Sequence, residues 1–562
     1  MNVKTLGSGK YVARAGALAT CMGLVLSGLQ GISSPSTANT DPDQRVVRTD
    51  QGLVRGVAEQ QNLLFQGIPY AQPPTGDLRW QPPRHPRRWS GVREASRPGP
   101  ACAQLGDDGE VLKGSSEDCL YLNVTTPRSS THSTHERRPV IVYLHGGAFS
   151  SGAGSDFDAR RMAAAGDAVV VTVNSRLGVF GFFGHRDLPD SGTYGLADQQ
   201  AALRWVRSNA RAFGGDPGRV TLMGESSGGA SACAQLTSPT AAGLFHRAII
   251  HSGACTQRWP RNVMWPGAGE TEYWAARADV QDRGTAAAKD LDCVGAGALR
   301  CLRERVEPAQ LLALNGQFTQ PAYDTTLLPL DPVRALRGGR FHRVPVLQGN
   351  TRDEHRLFGS LFEAEQPIDD ARYRNLLTES FGAAAADRIH AQYPPSRYRG
   401  QAKHPASLAW AAVGTDVGWV CPTVSANRML AGRVPVYSFE FADPDVPANF
   451  WEFPEGFPPG AYHGSELPML FDLGDSYASL SKQQKALSTT MIKYWTGFAR
   501  SGNPNAHDLA RWPRLPRLPV AGAGPRTLSL DSGPGGITRV DLEADHRCAF
   551  WESVAAEQRP PR

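Results

Sequence analysis

The chain has little of what marks a nucleic-acid binder, a membrane protein or a metal protein. Its 562 residues carry a formal net charge of only +5. Lys4, Lys10 and Arg14 supply three of those charges, and no acid precedes Asp41, so residues 39–562 stand at +2. No basic stripe interleaved with aromatics occurs, so no nucleic-acid partner is expected. No Cys-x-x-Cys pair is present among the nine cysteines, so no structural zinc and no other metal site is expected. Internal repeats, low-complexity linkers and charge runs are missing too. After the first thirty residues there is no long apolar run, so no stable membrane insertion is expected.

What is present begins with an export signal. Basic residues precede an apolar segment from about Ala15 to Leu29, and Ser36-Thr37-Ala38 offers small residues for cleavage near Ala38. Residues 1–38 are read as a secretory signal peptide and 39–562 as a single secreted catalytic domain. Cys21, after Leu18-Ala19-Thr20, lies near a lipid-attachment pattern, but the apolar stretch lies mostly beyond it. Removing Cys21 leaves eight cysteines, a number that allows full pairing in an oxidising compartment.

The centre of the sequence is Val220 to Gly229. Val220–Met223 is a short strand-like run, Gly224-Glu225-Ser226-Ser227-Gly228 is a G-x-S-x-G pentapeptide, and small residues lead on into helix-compatible sequence. Strand, sharp turn and helix in this order form a nucleophile elbow. Ser226 has glycine two residues before and two after it, whereas Ser227 would need glycine where Glu225 stands. Ser226 is therefore the expected nucleophile. Continuous apolar strands at Pro139–Leu144, Ala168–Val173, Ala248–Ser252, Val344–Gly349 and Pro435–Phe441 alternate with helical patterns such as Asp198–Phe213, which predicts an α/β fold with a mainly parallel sheet. Residues 67–74 are expected to run irregularly over a surface, residues 258–340 to form helical insertions, 367–432 and 482–500 to be helical, and 502–547 to be loop.

A serine hydroxyl needs a base within hydrogen-bond reach and a carboxylate that orients the base. His463 stands out among the downstream histidines, because it follows a loop some twenty residues after the Pro435–Phe441 strand; His251, in a buried strand, reads as a core residue. The acid follows the Val344–Leu347 strand, where Asp353 and Glu354 are both available and chemistry alone does not separate them. His145-Gly146-Gly147-Ala148 ends a buried strand in small residues, as an oxyanion hole requires for its backbone donors. The Ser227 amide would be the further donor.

Together these stretches resemble the type-B carboxylesterase and cholinesterase family over nearly all of residues 45–555. Further matching motifs are Gly67-Ile68-Pro69-Tyr70-Ala71, Glu117-Asp118-Cys119-Leu120, Asn174-Ser175-Arg176-Leu177-Gly178, Phe213-Gly214-Gly215-Asp216-Pro217, His463-Gly464-Ser465-Glu466-Leu467 and Gly502-Asn503-Pro504. The resemblance implies an α/β-hydrolase fold, with helical insertions around an active-site gorge. It implies Ser226 as nucleophile, Glu354 as acid, His463 as base, and the amides of Gly147, Ala148 and Ser227 as oxyanion donors. It also implies disulfides Cys102–Cys119, Cys293–Cys301 and Cys421–Cys548; Cys233 and Cys255 are left over, either paired with each other or buried as thiols. No cofactor is implied, and the expected partner is a small-molecule ester.

Two departures stand out: Ser227 replaces an alanine, and His355 replaces the glycine after the acid. The Cys102–Cys119 loop lacks the choline-binding tryptophan of cholinesterases, so the chain looks more like bacterial carboxylesterases of the para-nitrobenzyl esterase type. The resulting expectation is a secreted serine carboxylester hydrolase. The alternatives are a lipase or an amide or carbamate hydrolase on the same triad, or a non-catalytic binding protein on the same fold.

Overall fold

The computed structural model describes residues 44–128, 137–448, 451–517 and 524–557. The expected signal peptide and Cys21 lie outside these residues.

Apolar runs that could not face water on either side build the central sheet. Its strands are β1 (Val57–Ala58), β2 (Asn62–Pro69), β3 (Tyr121–Pro127), β4 (Arg138–Leu144), β5 (Val169–Val173), β6 (Gly215–Glu225), β7 (Arg247–His251), β8 (Val346–Thr351), β9 (Val436–Phe441), β10 (Thr527–Leu530) and β11 (Thr538–Val540). They lie in the order β11-β10-β9-β8-β7-β6-β4-β5-β3-β2-β1. The six pairings from β10 to β5 are parallel, and the outer pairings at both edges are antiparallel. Successive side chains of a strand point to opposite faces. Val140, Val142 and Leu144 of β4 accordingly enter one hydrophobic cluster, and Ile141 and Tyr143 enter the other. With both faces covered, β5, β8 and β9 are buried along their whole length.

This topology decides where a site can form. From β4 the chain goes to β5 on one side and then crosses to β6 on the other, so the strand order reverses at β4. In an open parallel sheet, the crevice beyond the carboxyl ends of the strands at such a point is where ligands bind. The helix α1 (Tyr194–Asn209) leads into β6, and α2 (Ser227–Thr237), buried throughout, leads out of it.

Three segments differ from the sequence-based expectation. Residues 67–74 are not a surface excursion: β2 continues to Pro69, and buried Tyr70 donates its hydroxyl to the Asn174 carbonyl at 2.5 Å. Residues 258–340 contain helices but also two small two-stranded sheets. Residues 502–547 include β10 and β11; β10 is only four residues long, fully buried, and is held by pairing with β9 rather than by local signals. Four disulfides join Cys102 to Cys119, Cys233 to Cys255, Cys293 to Cys301 and Cys421 to Cys548. Among the described residues no helix is long and apolar enough to cross a membrane.

Candidate active site

β6 ends at Glu225, and the chain turns at Ser226 with φ 55° and ψ −125° before α2 begins. This backbone conformation is costly for a residue with a side chain and persists only where the surroundings impose it. The Ser226 amide donates to the His251 carbonyl at 3.0 Å, tying the turn to β7. The flanking glycines are a steric requirement: a Cβ at Gly224 would lie 2.1 Å from the Gly228 carbonyl oxygen, and one at Gly228 would lie 2.1 Å from that of Leu144. Ser227 opens α2, so its N–H is among the first-turn donors without an intrahelical acceptor.

The loop after β4 lies directly against this turn. A Cβ at Gly146 would meet Glu225 Oε2 at 2.5 Å and Ser226 Cβ at 3.1 Å. Gly147, Ala148 and Phe149 all have positive φ, at 104°, 52° and 60°. Neither Gly147 nor Ala148 spends its N–H on a turn bond. The loop is held from behind, where the Gly178 amide donates to the Phe149 carbonyl at 2.7 Å. Arg176, of the Asn174–Gly178 motif, forms a buried ion pair at 2.7 Å with Asp198 of α1.

Of the two acids that follow β8, the structure sends them different ways. Asp353 accepts from the Ala461 amide at 3.0 Å and pairs with Arg356 at 2.9 Å, partly exposed. Glu354 is buried. Its Oε1 accepts from Ser252 Oγ at 2.5 Å, Asn350 Nδ2 at 3.1 Å and the Thr351 amide at 3.0 Å, and its Oε2 lies 2.6 Å from His463 Nδ1. The other ring nitrogen, Nε2, lies 3.2 Å from Glu225 Oε1, on the residue that precedes Ser226. Ser226, Glu354, His463 and the loop Gly146–Phe149 therefore converge at the carboxyl edge of β4, β6 and β8.

The charges follow from burial and neighbours. Burial favours a neutral Glu354, but the positive charge and hydrogen bond of His463, with the donors from Ser252 and Thr351, outweigh it and hold the carboxyl below its ordinary range. Burial likewise opposes charge on His463, yet Glu225, Glu354 and Glu466 raise its pKa to about 9. Burial raises Glu225 to about 8. While Glu225 keeps its proton, it adds no negative charge beside Nε2, and the ring is then more readily neutral.

Aromatic side chains close the site. Trp419 packs on the His463 ring at 4.5 Å between centroids, with Phe358 at 5.4 Å. His355, fully buried, donates from Nε2 to the Val263 carbonyl at 2.6 Å and accepts from Trp419 Nε1 on Nδ1 at 3.2 Å. Burial lowers its pKa to about 4, so it is neutral, and it ties the insertion around Val263 to Trp419. His251 is held by Glu466 at 2.9 Å and by Trp495 Nε1 at 2.8 Å, as a satisfied core histidine is.

Sequence reasoning passed over Glu225, Ser252 and Trp419. Glu225 was visible as the one charged residue inside the elbow motif; the other two had no local signal. Among the described residues, no group of three or more His, Cys, Asp or Glu side chains could hold a metal ion.

Comparison with known proteins places this geometry in context. The carboxylesterase family model matches residues 43–551. Human cocaine esterase is 34% identical over 580 residues, covering 97% of this chain and 96% of that protein. The para-nitrobenzyl esterase of Bacillus subtilis (strain 168) is 34% identical over 488 residues, 84% of this chain and 92% of that one. The fumonisin B1 esterase of Sphingopyxis macrogoltabida is 33% identical over 504 residues, 86% and 87%. A solved PNB esterase structure superposes with a TM-score of 0.70 at 32% identity, covering 90% of this chain and 100% of that one.

Proposed function

The chain belongs to the carboxylesterase family and is a carboxylic ester hydrolase with the α/β-hydrolase fold, and on that premise we propose that it works through an acyl-enzyme on Ser226. The observation that carries this reading is the line of contacts from Glu354 through His463 to the Glu225–Ser226 turn, with the Gly146–Phe149 loop against it.

His463 takes the proton of Ser226 Oγ at Nε2 as that oxygen attacks the ester carbonyl. Glu354 holds Nδ1–H and stabilises the imidazolium that forms. The carbonyl oxygen gains negative charge and is held by the amides of Gly147, Ala148 and Ser227, donors fixed before the reaction begins. The carbon–alkoxy bond breaks, and His463 gives its proton to the departing alcohol. Water then attacks the acyl carbonyl with His463 again as base, and the acid leaves. Nothing in these steps calls for a cofactor.

The substrate class is a small-molecule carboxylic ester. Relatives at 33–34% identity are named for esterase action on cocaine, para-nitrobenzyl esters and fumonisin B1. Residues 39–562 act as one catalytic domain, exported by the N-terminal segment. Four disulfides favour that setting, because they persist in oxidising compartments. Turnover of para-nitrophenyl esters from acetate to palmitate by residues 39–562 tests the proposal. A preference for short acyl chains supports an esterase, and a maximum at long chains on emulsions supports a lipase.

A further inference from the structure

The two cysteines that no sequence motif accounts for are joined to each other, and their bond spans two arms of the candidate triad. Cys233 belongs to α2, the helix that Ser226 leads into, and Cys255 stands three residues beyond Ser252. Both cysteines are fully buried. Ser252 is the residue whose Oγ donates to Glu354 Oε1 at 2.5 Å. One covalent bond therefore links the helix of the nucleophile to the segment that supports the acid.

That segment lies against the first turn of α2 almost backbone to backbone. A Cβ at Gly253 would lie 2.4 Å from the Ser226 carbonyl oxygen and 2.5 Å from the Ala230 amide nitrogen. One at Gly229 would lie 2.6 Å from the His251 carbonyl oxygen. Glycine permits this approach but leaves no side chains to interlock. Among the described residues no hydrogen bond joins residues 252–257 to α2, so the disulfide is what fastens the two together. Elsewhere the segment is moored to the rest of the fold. The Ser252 amide donates to the Gly349 carbonyl at 2.8 Å, Trp274 Nε1 to the Cys255 carbonyl at 2.8 Å, and Thr256 Oγ1 to the Pro422 carbonyl at 2.5 Å.

Ser252 needs such restraint. Its φ is 49°, a left-handed conformation that a serine keeps only where its surroundings impose it. Relaxation of that backbone would carry Oγ away from Glu354.

We propose that Cys233 and Cys255 form a positioning pair for ester hydrolysis. By fixing the segment 251–255 against α2, their bond holds Ser252 in its strained conformation and Glu354 in line with His463. The proposal rests on the reading of Ser226, His463 and Glu354 as the triad. The disulfide itself neither breaks nor forms during turnover; its contribution is geometric. Glu354 Oε2 must stay on His463 Nδ1, 2.6 Å away, while Nε2 serves Ser226. Misplacement of such a group by about 1 Å costs up to ~10²-fold in rate.

A crosslink that served only to stabilise the fold would behave otherwise. Cys421 and Cys548 are 127 residues apart and Cys233 and Cys255 only 22, so the longer link restrains the unfolded chain more. Neither Cys421 nor Cys548 adjoins Ser226 or Ser252. The two disulfides therefore separate stability from rate.

The test is a mutant cycle on para-nitrophenyl acetate, run well below every melting midpoint. Cys233→Ala/Cys255→Ala is expected to lower kcat and kcat/KM together by about tenfold to a hundredfold, with KM within about twofold of wild type. Ser252→Ala should show a similar loss. Because residues that act as one unit are not additive, the triple variant should fall no more than about twofold below Ser252→Ala. Cys421→Ala/Cys548→Ala is the stability control and should keep its kcat. Cys233→Ser/Cys255→Ser, close in volume to two thiols, repeats the measurement should the alanine pair not fold. An unchanged kcat in the pair variant or in Ser252→Ala, a rise in KM alone, an equal loss in the control, or losses that multiply in the triple variant would overturn the proposal. So would free thiols at 233 and 255 in peptide maps of the unreduced enzyme. An acyl adduct on a residue other than Ser226 would overturn instead the triad reading on which it rests.

Discussion

Glu225 Oε1 lies 3.2 Å from His463 Nε2, so the ring is flanked by carboxylates on both nitrogens: Glu225 on one side and Glu354, at 2.6 Å, on the other. One carboxylate orients the ring through Nδ1. In the proposed mechanism the second sits where the base exchanges its proton, and so sets the pH at which the base is ready.

Glu225→Gln removes that second charge. Burial opposes a charged His463 and Glu225 supports it, so the substitution lowers the ring's pKa. The proposed mechanism needs the neutral ring, so kcat/KM is expected to rise as pH rises through that pKa. The acidic limb of the kcat/KM profile should therefore move to lower pH in Glu225→Gln. A pH series from 5 to about 10 checks this; an unmoved limb would mean that Glu225 does not couple to the base.

Gly147→Ala tests the oxyanion loop. Gly147 has φ 104°, and a Cβ there would lie 2.2 Å from the Ser151 carbonyl oxygen, so the loop must shift and carry the Gly147 and Ala148 amides with it. The expected loss in kcat is about 10²–10³, the usual range for one oxyanion donor. Steady-state kinetics on para-nitrophenyl acetate, with a thermal melt to confirm folding, measures it.

The chain's own motifs made part of this site legible. The elbow could be read because glycines two residues on either side of Ser226 are a steric requirement of the turn itself. His463 could be singled out from its place after a late strand. Asp353 and Glu354 could not be separated, because both are acids in one loop, and what distinguishes them is direction: Asp353 points to Ala461 and Arg356, Glu354 back to His463. The contact of Trp419 with His463 joins residues far apart in sequence, and no local period or turn signal encodes it. β10 escaped notice for a similar reason, being four residues long among prolines and glycines.

His546 predicts a pH dependence of stability that does not run through the His463 titration. It is buried between Asp416 at 2.6 Å and Glu440 at 2.9 Å. Burial opposes its charge, but these two carboxylates outweigh it and raise its pKa to about 10. A folded-state pKa above the unfolded value contributes stability in full below about pH 6.5, and that stability is lost as pH rises through about 10. His546→Gln should cost about 3–5 kcal/mol at neutral pH, as removal of one member of a buried ion pair does. The gap between the melting temperatures of wild type and variant should narrow as pH rises toward 10. A gap that stays constant would contradict a charged His546.

Cys421 and Cys548 tie the C-terminal helix Cys548–Glu557 to the helix that begins at Cys421, across 127 residues. A closed loop of that length restricts the unfolded chain strongly. Replacing both cysteines by alanine should lower stability by about 2–5 kcal/mol while leaving kcat nearly unchanged, since neither residue touches the site. Chemical denaturation of the double variant checks it.

The central claim is that Ser226 carries the acyl group. The most direct test compares purified residues 39–562 with Ser226→Ala on para-nitrophenyl acetate and maps the acyl adduct by mass spectrometry. The account predicts an adduct on Ser226 in the wild-type enzyme and a fall in kcat of about 10⁶ in a folded Ser226→Ala, the loss expected when a serine nucleophile is removed. Comparable turnover by both proteins, or an adduct on another residue, would contradict it.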